Sequence, residues 1–174
     1  MDGTRTGTDQ MERFTPGPDT ARAFRDALGR FATGVTVVTA LAEDGPVGIT
    51  ANSFASVSLD PPLVLWSPAR ASSRFAVFAG AGHFAIHVLG QEHRDLAAHF
   101  VRNGRDFAGV ATVSGPGGAP LIEGCLARFA CRTAARHDAG DHLIVVGEVL
   151  EAGMRPGEPL VFSQGAYGHF LRGH

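Results

Sequence analysis

The segment from Cys125 to Leu150 constrains the fold of this chain most. Between Cys125 and Thr133 one face carries Cys125, Ala127, Phe129, Cys131 and Thr133, while the other carries Arg128 and Arg132. Alternation of this kind predicts a half-buried antiparallel strand. Its partner runs from Leu143 to Leu150, across the turn Asp138-Ala139-Gly140-Asp141. A second hairpin is predicted from Val35 to Leu41 and Val47 to Asn52, β-branched runs separated by Glu43-Asp44-Gly45-Pro46. Leu63 to Ser67 and His83 to Leu89 add further strands. Some six strands, few helices and no internal repeat predict a mainly β fold, a closed antiparallel barrel.

Helices punctuate this pattern. From Asp19 or Thr20 as N-cap, Ala21, Phe24, Leu28 and Phe31 recur at helical spacing, so a helix is expected to run to near Gly34 and lie against the barrel. Ser72 is expected to cap a short helix carrying Phe75, Val77 and Phe78, ended by Gly80 and Gly82. Gln91 to Arg102 reads as another helix, with Leu96, His99 and Phe100 on one face. Asn103 to Pro120 is rich in glycine and reads as a mobile surface loop. Residues 1–18 are expected to form a disordered arm, and residues 19–174 one domain.

Composition removes several function classes. The formal net charge is −2, so no basic field invites nucleic acid or an anionic membrane. All 15 cationic residues are arginine. Without lysine there is no internal aldimine and no Walker-type phosphate loop, and any anion contact falls to arginine, backbone amides or hydroxyls. No secretory leader opens the sequence and no apolar run approaches the roughly 20 residues that cross a bilayer, so a soluble, cytoplasmic protein is expected. Cys125 and Cys131 stand an even distance apart in what reads as one strand, sharing a face but too far apart to bridge.

Two apparent motifs fail on context. Gly80-Ala81-Gly82-His83-Phe84-Ala85 matches a dinucleotide fingerprint, but that fingerprint needs a strand followed by a helix, and here a helix precedes a strand. His83, His87, His93 and His99 lack metal-ligand spacing and are read as satisfying local hydrogen bonds; no metal is expected.

The run Ile49-Thr50-Ala51-Asn52-Ser53-Phe54-Ala55-Ser56 sets small hydroxyl and amide side chains in an apolar, β-rich stretch. It reads either as a polar edge strand or as a strip that can address the edge of a flat polar ligand. Ser67-Pro68-Ala69-Arg70-Ala71-Ser72-Ser73-Arg74 is a polar loop offering amides, hydroxyls and guanidinium groups to an anion. Gly140-Asp141-His142 is a tight turn whose histidine is either a plain exposed turn residue or a ligand contact.

From about Phe24 to Tyr167 the chain resembles the short-chain flavin reductases. The likeness rests on Phe31-Ala32-Thr33-Gly34-Val35-Thr36-Val37-Val38-Thr39, the Ile49 run continuing to Pro62, Phe84-Ala85-Ile86-His87-Val88-Leu89, and Gly140-Asp141-His142 with Val146-Gly147-Glu148-Val149. It implies a six-stranded antiparallel Greek-key split barrel with a few flanking helices. It also implies NADH or NADPH as hydride donor and FMN or FAD as acceptor, with reduced flavin released to a partner flavin-dependent monooxygenase, and a homodimer. Carried over residue by residue, Thr50, Ala51, Asn52 and Ser53 address the flavin ring edge. Ser67, Arg70, Ser72, Ser73 and Arg74 receive the flavin phosphate. Asp141, His142 and Tyr167 line the nicotinamide side, His142 as a positioning group with no certain catalytic residue. Trp66 departs from the family's usual residue beside the phosphate loop. Two other readings stay open: a non-enzymatic flavin carrier or sensor, and a flavoenzyme that reduces a small organic substrate directly.

Overall fold

A computed structural model describes residues 11–171 and Gly173 of the chain. The first ten residues of the expected arm lie outside the described residues; Met11 to Gly17 is mostly exposed and without regular structure.

Seven strands form one antiparallel sheet: β2 (Thr36–Ala42), β3 (Gly45–Ala51), β4 (Ala55–Leu59), β5 (Pro62–Trp66), β6 (His83–Val88), β9 (Ala127–Ala139) and β10 (His142–Met154). Their order is β3-β2-β6-β9-β10-β5-β4. Val38, Val47, Val64, Trp66, Phe84, Ile86, Cys131 and Val145 come from both ends and the middle of that order, yet form a single buried cluster. The sheet therefore curls around its own apolar face. No ladder joins the edge strands β3 and β4, so the expected closed barrel is a split one, with seven strands where six were expected. Burying apolar surface on one concave face does not require closing the last hydrogen-bonded seam.

Strand β2 is buried on both faces. Val38 and Ala40 enter the barrel core, while Val35, beside it, and Val37 enter a second cluster with Ala97 and Phe100 of helix α3 (Arg94–Arg102). Gly48 of β3 makes this packing possible: a Cβ there would lie 2.6 Å from the Phe100 ring. His87 of β6 is fully buried between the layers. It bonds the Val37 carbonyl through Nδ1 (2.9 Å), and its Nε2 accepts from Ile122 N–H (3.0 Å).

Four expectations change. Helix α1 covers only Ala21–Leu28, because the Gly29 carbonyl accepts from Gln164 N–H and the Ser163 hydroxyl, and the chain then turns into β1 (Thr33–Gly34). No α1 residue is buried, so it does not lie on the barrel by its apolar face. The glycine-rich segment 103–120 holds a small hairpin, β7 (Thr112–Ser114) with β8 (Pro120–Ile122). Cys125 precedes β9 and packs with α3, whereas Cys131 faces the barrel interior, so the two thiols do not share a face. The short helix α2 (Phe75–Gly80) has Arg74, not Ser72, at its N-cap; the Ser72 hydroxyl instead accepts from Arg74 N–H. β11 (Leu160–Ser163) and β12 (Ala166–His169) join β1 in a separate three-stranded sheet.

Candidate functional site

The polar strip turns a corner. Thr50 and Ala51 end β3, Asn52 and Ser53 form the bend, and β4 begins at Ala55. The Thr50 hydroxyl donates to the Ala97 carbonyl of α3 (2.7 Å), and the Ala51 carbonyl accepts from the Thr36 hydroxyl (2.7 Å). The Ser53 hydroxyl accepts from Ser67 N–H (2.9 Å) and donates to the Ser67 carbonyl (3.2 Å), tying the corner to the loop after β5. Asn52 is exposed, and its amide has no hydrogen-bond partner among the described residues. The strip thus presents one free bidentate side chain, held in place by neighbours whose hydroxyls are engaged with the protein. An amide with donors and an acceptor at the mouth of a cleft fits the carbonyl and ring-nitrogen edge of an isoalloxazine.

The loop from Ser67 to Arg74 is stitched to the β9–β10 turn. Leu143 N–H donates to the Pro68 carbonyl (3.1 Å), Arg70 N–H to the Asp141 carbonyl (2.8 Å), and Ala69 bridges His142. Gly140 takes φ +62° while Asp141 keeps a negative φ, which gives the two-residue turn its II′ shape. The sequence treated these segments as separate motifs; the fold makes them one wall. Within it the Arg70 guanidinium is ion-paired with Asp138 and donates to the Gly140 carbonyl (3.3 Å). Arg74 is turned away, donating to the Phe100 (2.7 Å) and Val101 (3.1 Å) carbonyls at the end of α3. Both cations assigned to an anion are therefore engaged within the protein, Arg74 through one donor on each terminal nitrogen. The hydroxyls of Ser67 and Ser73 carry no hydrogen bond among the described residues. Trp66 does not shape this wall; it is buried in the barrel core, its ring edge-on to Phe78 at 5.0 Å.

His142 is part-exposed, and its Nδ1 lies 2.7 Å from Oδ1 of Asp141. That hydrogen bond, followed by the charge attraction of the same ring, holds the Asp141 carboxyl below its usual range. Nε2 is left free to meet a ligand. Tyr167 is not beside this pair. Its ring packs edge-on to Phe162 (5.5 Å), the Arg94 guanidinium stands 5.8 Å from its centre, and it shares a cleft of about 170 Å³ with Thr50, Ala51 and Asn52.

Asn52 also borders a larger cleft of about 600 Å³, between α1 and the β11–β12 turn, whose lining includes Arg25, Arg30, Thr33, Phe162 and Gln164. Sequence reasoning met Thr33 only as part of the family likeness and passed over Arg25, Arg30, Phe162 and Gln164, which no motif marks. The one available signal was the absence of lysine, which leaves arginine as the cationic side chain for any anion contact.

The family model for the flavin reductase like domain matches residues 28–170. The chain belongs to this family. It is 60% identical over 159 residues, 91% of each chain, to the FMN reductase (NADH) SmoA of Agrobacterium fabrum. It is 41% identical over 150 residues to HsaB, the reductase subunit of a flavin-dependent monooxygenase of Mycobacterium tuberculosis, covering 84% of this chain and 80% of that one. Among solved structures it is similar to the NADH:FAD oxidoreductase SgcE6 of Streptomyces globisporus in complex with NAD and FAD fragments. There the TM-score is 0.83 at 37% identity, covering 91% of this chain and 98% of that one. A split barrel with few helices is thus both the geometry of this chain and that of its flavin reductase relatives.

Proposed function

We propose that this chain is an NADH-dependent flavin reductase whose flavin ring sits at the Asn52 corner, and that it hands reduced FMN or FAD to a flavin-dependent monooxygenase. The observation that carries the reading is the unpartnered Asn52 amide at the meeting of two clefts, in a flavin reductase fold. Similarity to an NADH-dependent FMN reductase and to a monooxygenase reductase subunit supports the donor and the partner. A flavin held there would supply the two-electron acceptor, and hydride transfer would be the chemistry of the two cofactors. The protein's own task is orientation in a site where misplacement is costly.

In this reading Asn52 addresses the ring edge. Thr50 and Ser53 fix the corner from behind, and Ser67, Ser72 and Ser73 offer hydroxyls toward the ribityl phosphate with Arg70 at the rim. His142, oriented by Asp141, acts on the nicotinamide through Nε2. Arg74 drops out as a ligand because its donors are engaged on α3. Tyr167 belongs to the Asn52 side of the site, not to that of His142.

A homodimer is part of the proposal. Phe24, Leu28 and Phe31 leave an apolar face uncovered, Phe31 at 79% exposure, and β4 is an edge strand carrying the exposed Val57 and Leu59. Such surfaces are what a two-fold contact covers. A cytoplasmic setting agrees with two free buried thiols. Among the described residues no helix is long and apolar enough to cross a membrane.

The test is NADH oxidation with added FMN by wild type and His142→Ala. The variant should raise the KM for NADH or slow flavin reduction while its flavin affinity holds. Loss of flavin binding with normal NADH kinetics at saturating flavin would reverse the roles given to the two sides.

A further inference from the structure

The arginines of this chain sort into those held by the protein and those that are not. Among the described residues Arg70, Arg105, Arg128, Arg132 and Arg155 are ion-paired, Arg74 and Arg136 bond main-chain carbonyls, and Arg94 lies over Tyr167. The side chains of Arg22, Arg25, Arg30 and Arg102 have neither hydrogen bond nor ion pair among the described residues. Two of these four, Arg25 and Arg30, line the cleft of about 600 Å³ that reaches Asn52. Asp26 is the one carboxylate in the lining, so the cleft carries a net positive charge.

Two unpaired guanidinium groups in one concavity repel each other and concentrate positive potential there. Their planar forks match the oxygens of a phosphate, which two donors can grip together. Phe162 in the same lining gives a flat group an apolar wall. The loop after β5 is the poorer place for a second phosphate, since its two arginines already have partners. We propose that the α1 cleft is a phosphate subsite, in which Arg25 and Arg30 hold the phosphate oxygens of the nicotinamide dinucleotide beside the flavin ring at Asn52. The inference rests on the proposed function, which gives the flavin's own phosphate to the serines of that loop.

The experiment compares wild type with the double variant Arg25→Gln, Arg30→Gln. Flavin affinity is titrated with riboflavin, FMN and FAD, and KM is measured for NADH and for the phosphate-free dihydronicotinamide riboside. Neither side chain has a protein partner and α1 buries no residue, so the variant should fold as wild type does. KM for NADH should rise by about tenfold or more, while that for the riboside stays constant and the affinities for riboflavin, FMN and FAD hold. A fall in FMN and FAD affinity with riboflavin unchanged would overturn the assignment to the dinucleotide. Replacement of both by lysine should restore part of the loss. Unchanged discrimination between phosphate-bearing and phosphate-free ligands overturns the subsite, as does an equal loss for riboflavin. A wild type that binds riboflavin and oxidises NADH but shows no dependence on these arginines removes the subsite alone. A wild type that does neither removes the flavin reductase reading and the subsite with it.

Discussion

Two polar regions meet at Asn52 and differ in how their side chains are used. In the stitched wall of Ser53, Ser67 to Arg74 and the β9–β10 turn, most polar groups are engaged with the protein itself. In the cleft beside α1, Arg25, Arg30 and the Asn52 amide have no protein partner. The polar residues of the wall, and Asn52 with them, were conspicuous in the sequence; Arg25 and Arg30 were not. Residue type tells where polar chemistry is placed; only the fold tells whether it is already satisfied.

The same division separates the histidines and gives the largest expected effect. His87 is fully buried with both ring nitrogens engaged, whereas His142 keeps Nε2 free. Burial pushes the His87 pKa down from 6.5 to about 4, with the Val37 hydrogen bond opposing and the charge of Arg128 assisting. Below pH 6.5 the unfolded chain takes up a proton that the native one refuses until about pH 4. Its contribution is therefore complete above pH 6.5 and lost as the pH falls through that window, by about 3 kcal/mol in all. Denaturant unfolding across the window should show this slope in wild type and lose it in His87→Gln. An equal slope in both proteins would leave His87 out of the acid response.

Arg74→Ala comes next. Removing two bonds to the last carbonyls of α3 should lower stability by about 2 kcal/mol, read as a drop in Tm. Arg25→Gln should leave Tm close to wild type, because it removes no protein contact. Similar losses in both would erase the distinction between engaged and free arginines.

Those partners explain how far the sequence could be read. The strands of both main hairpins were legible because alternation and turn residues are local signals, and β2, β3, β9 and β10 lie near their expected positions. The β7–β8 hairpin was not, since three-residue strands among glycines and prolines leave no period to detect. Helix α1 was overextended because what stops it, the Gly29 carbonyl bonding Gln164 and Ser163, lies at the far end of the chain. The site divides the same way: its residue types were visible, but the links from Thr50 to Ala97 and from Arg74 to Phe100 span 47 and 26 positions. No local pattern encodes contacts at that distance.

A small effect belongs to Arg70. Its ion pair with Asp138 is exposed, at 41% and 86% of the two side chains, so Arg70→Gln should cost well under about 1 kcal/mol and less in high salt. A larger loss in thermal unfolding would mean that the wall depends on this pair and not on the main-chain bonds beside it.

The central claim is that a flavin ring binds at the Asn52 corner and receives hydride there. Anaerobic rapid mixing of NADH with the protein and FMN, in wild type and Asn52→Leu, tests it most directly. Wild type should bleach the flavin in a single NADH-dependent step, and Asn52→Leu should need about tenfold more FMN to reach the same rate, since the flavin edge loses its polar partner while bulk is kept. Flavin reduction with an unchanged FMN requirement in Asn52→Leu would contradict the account.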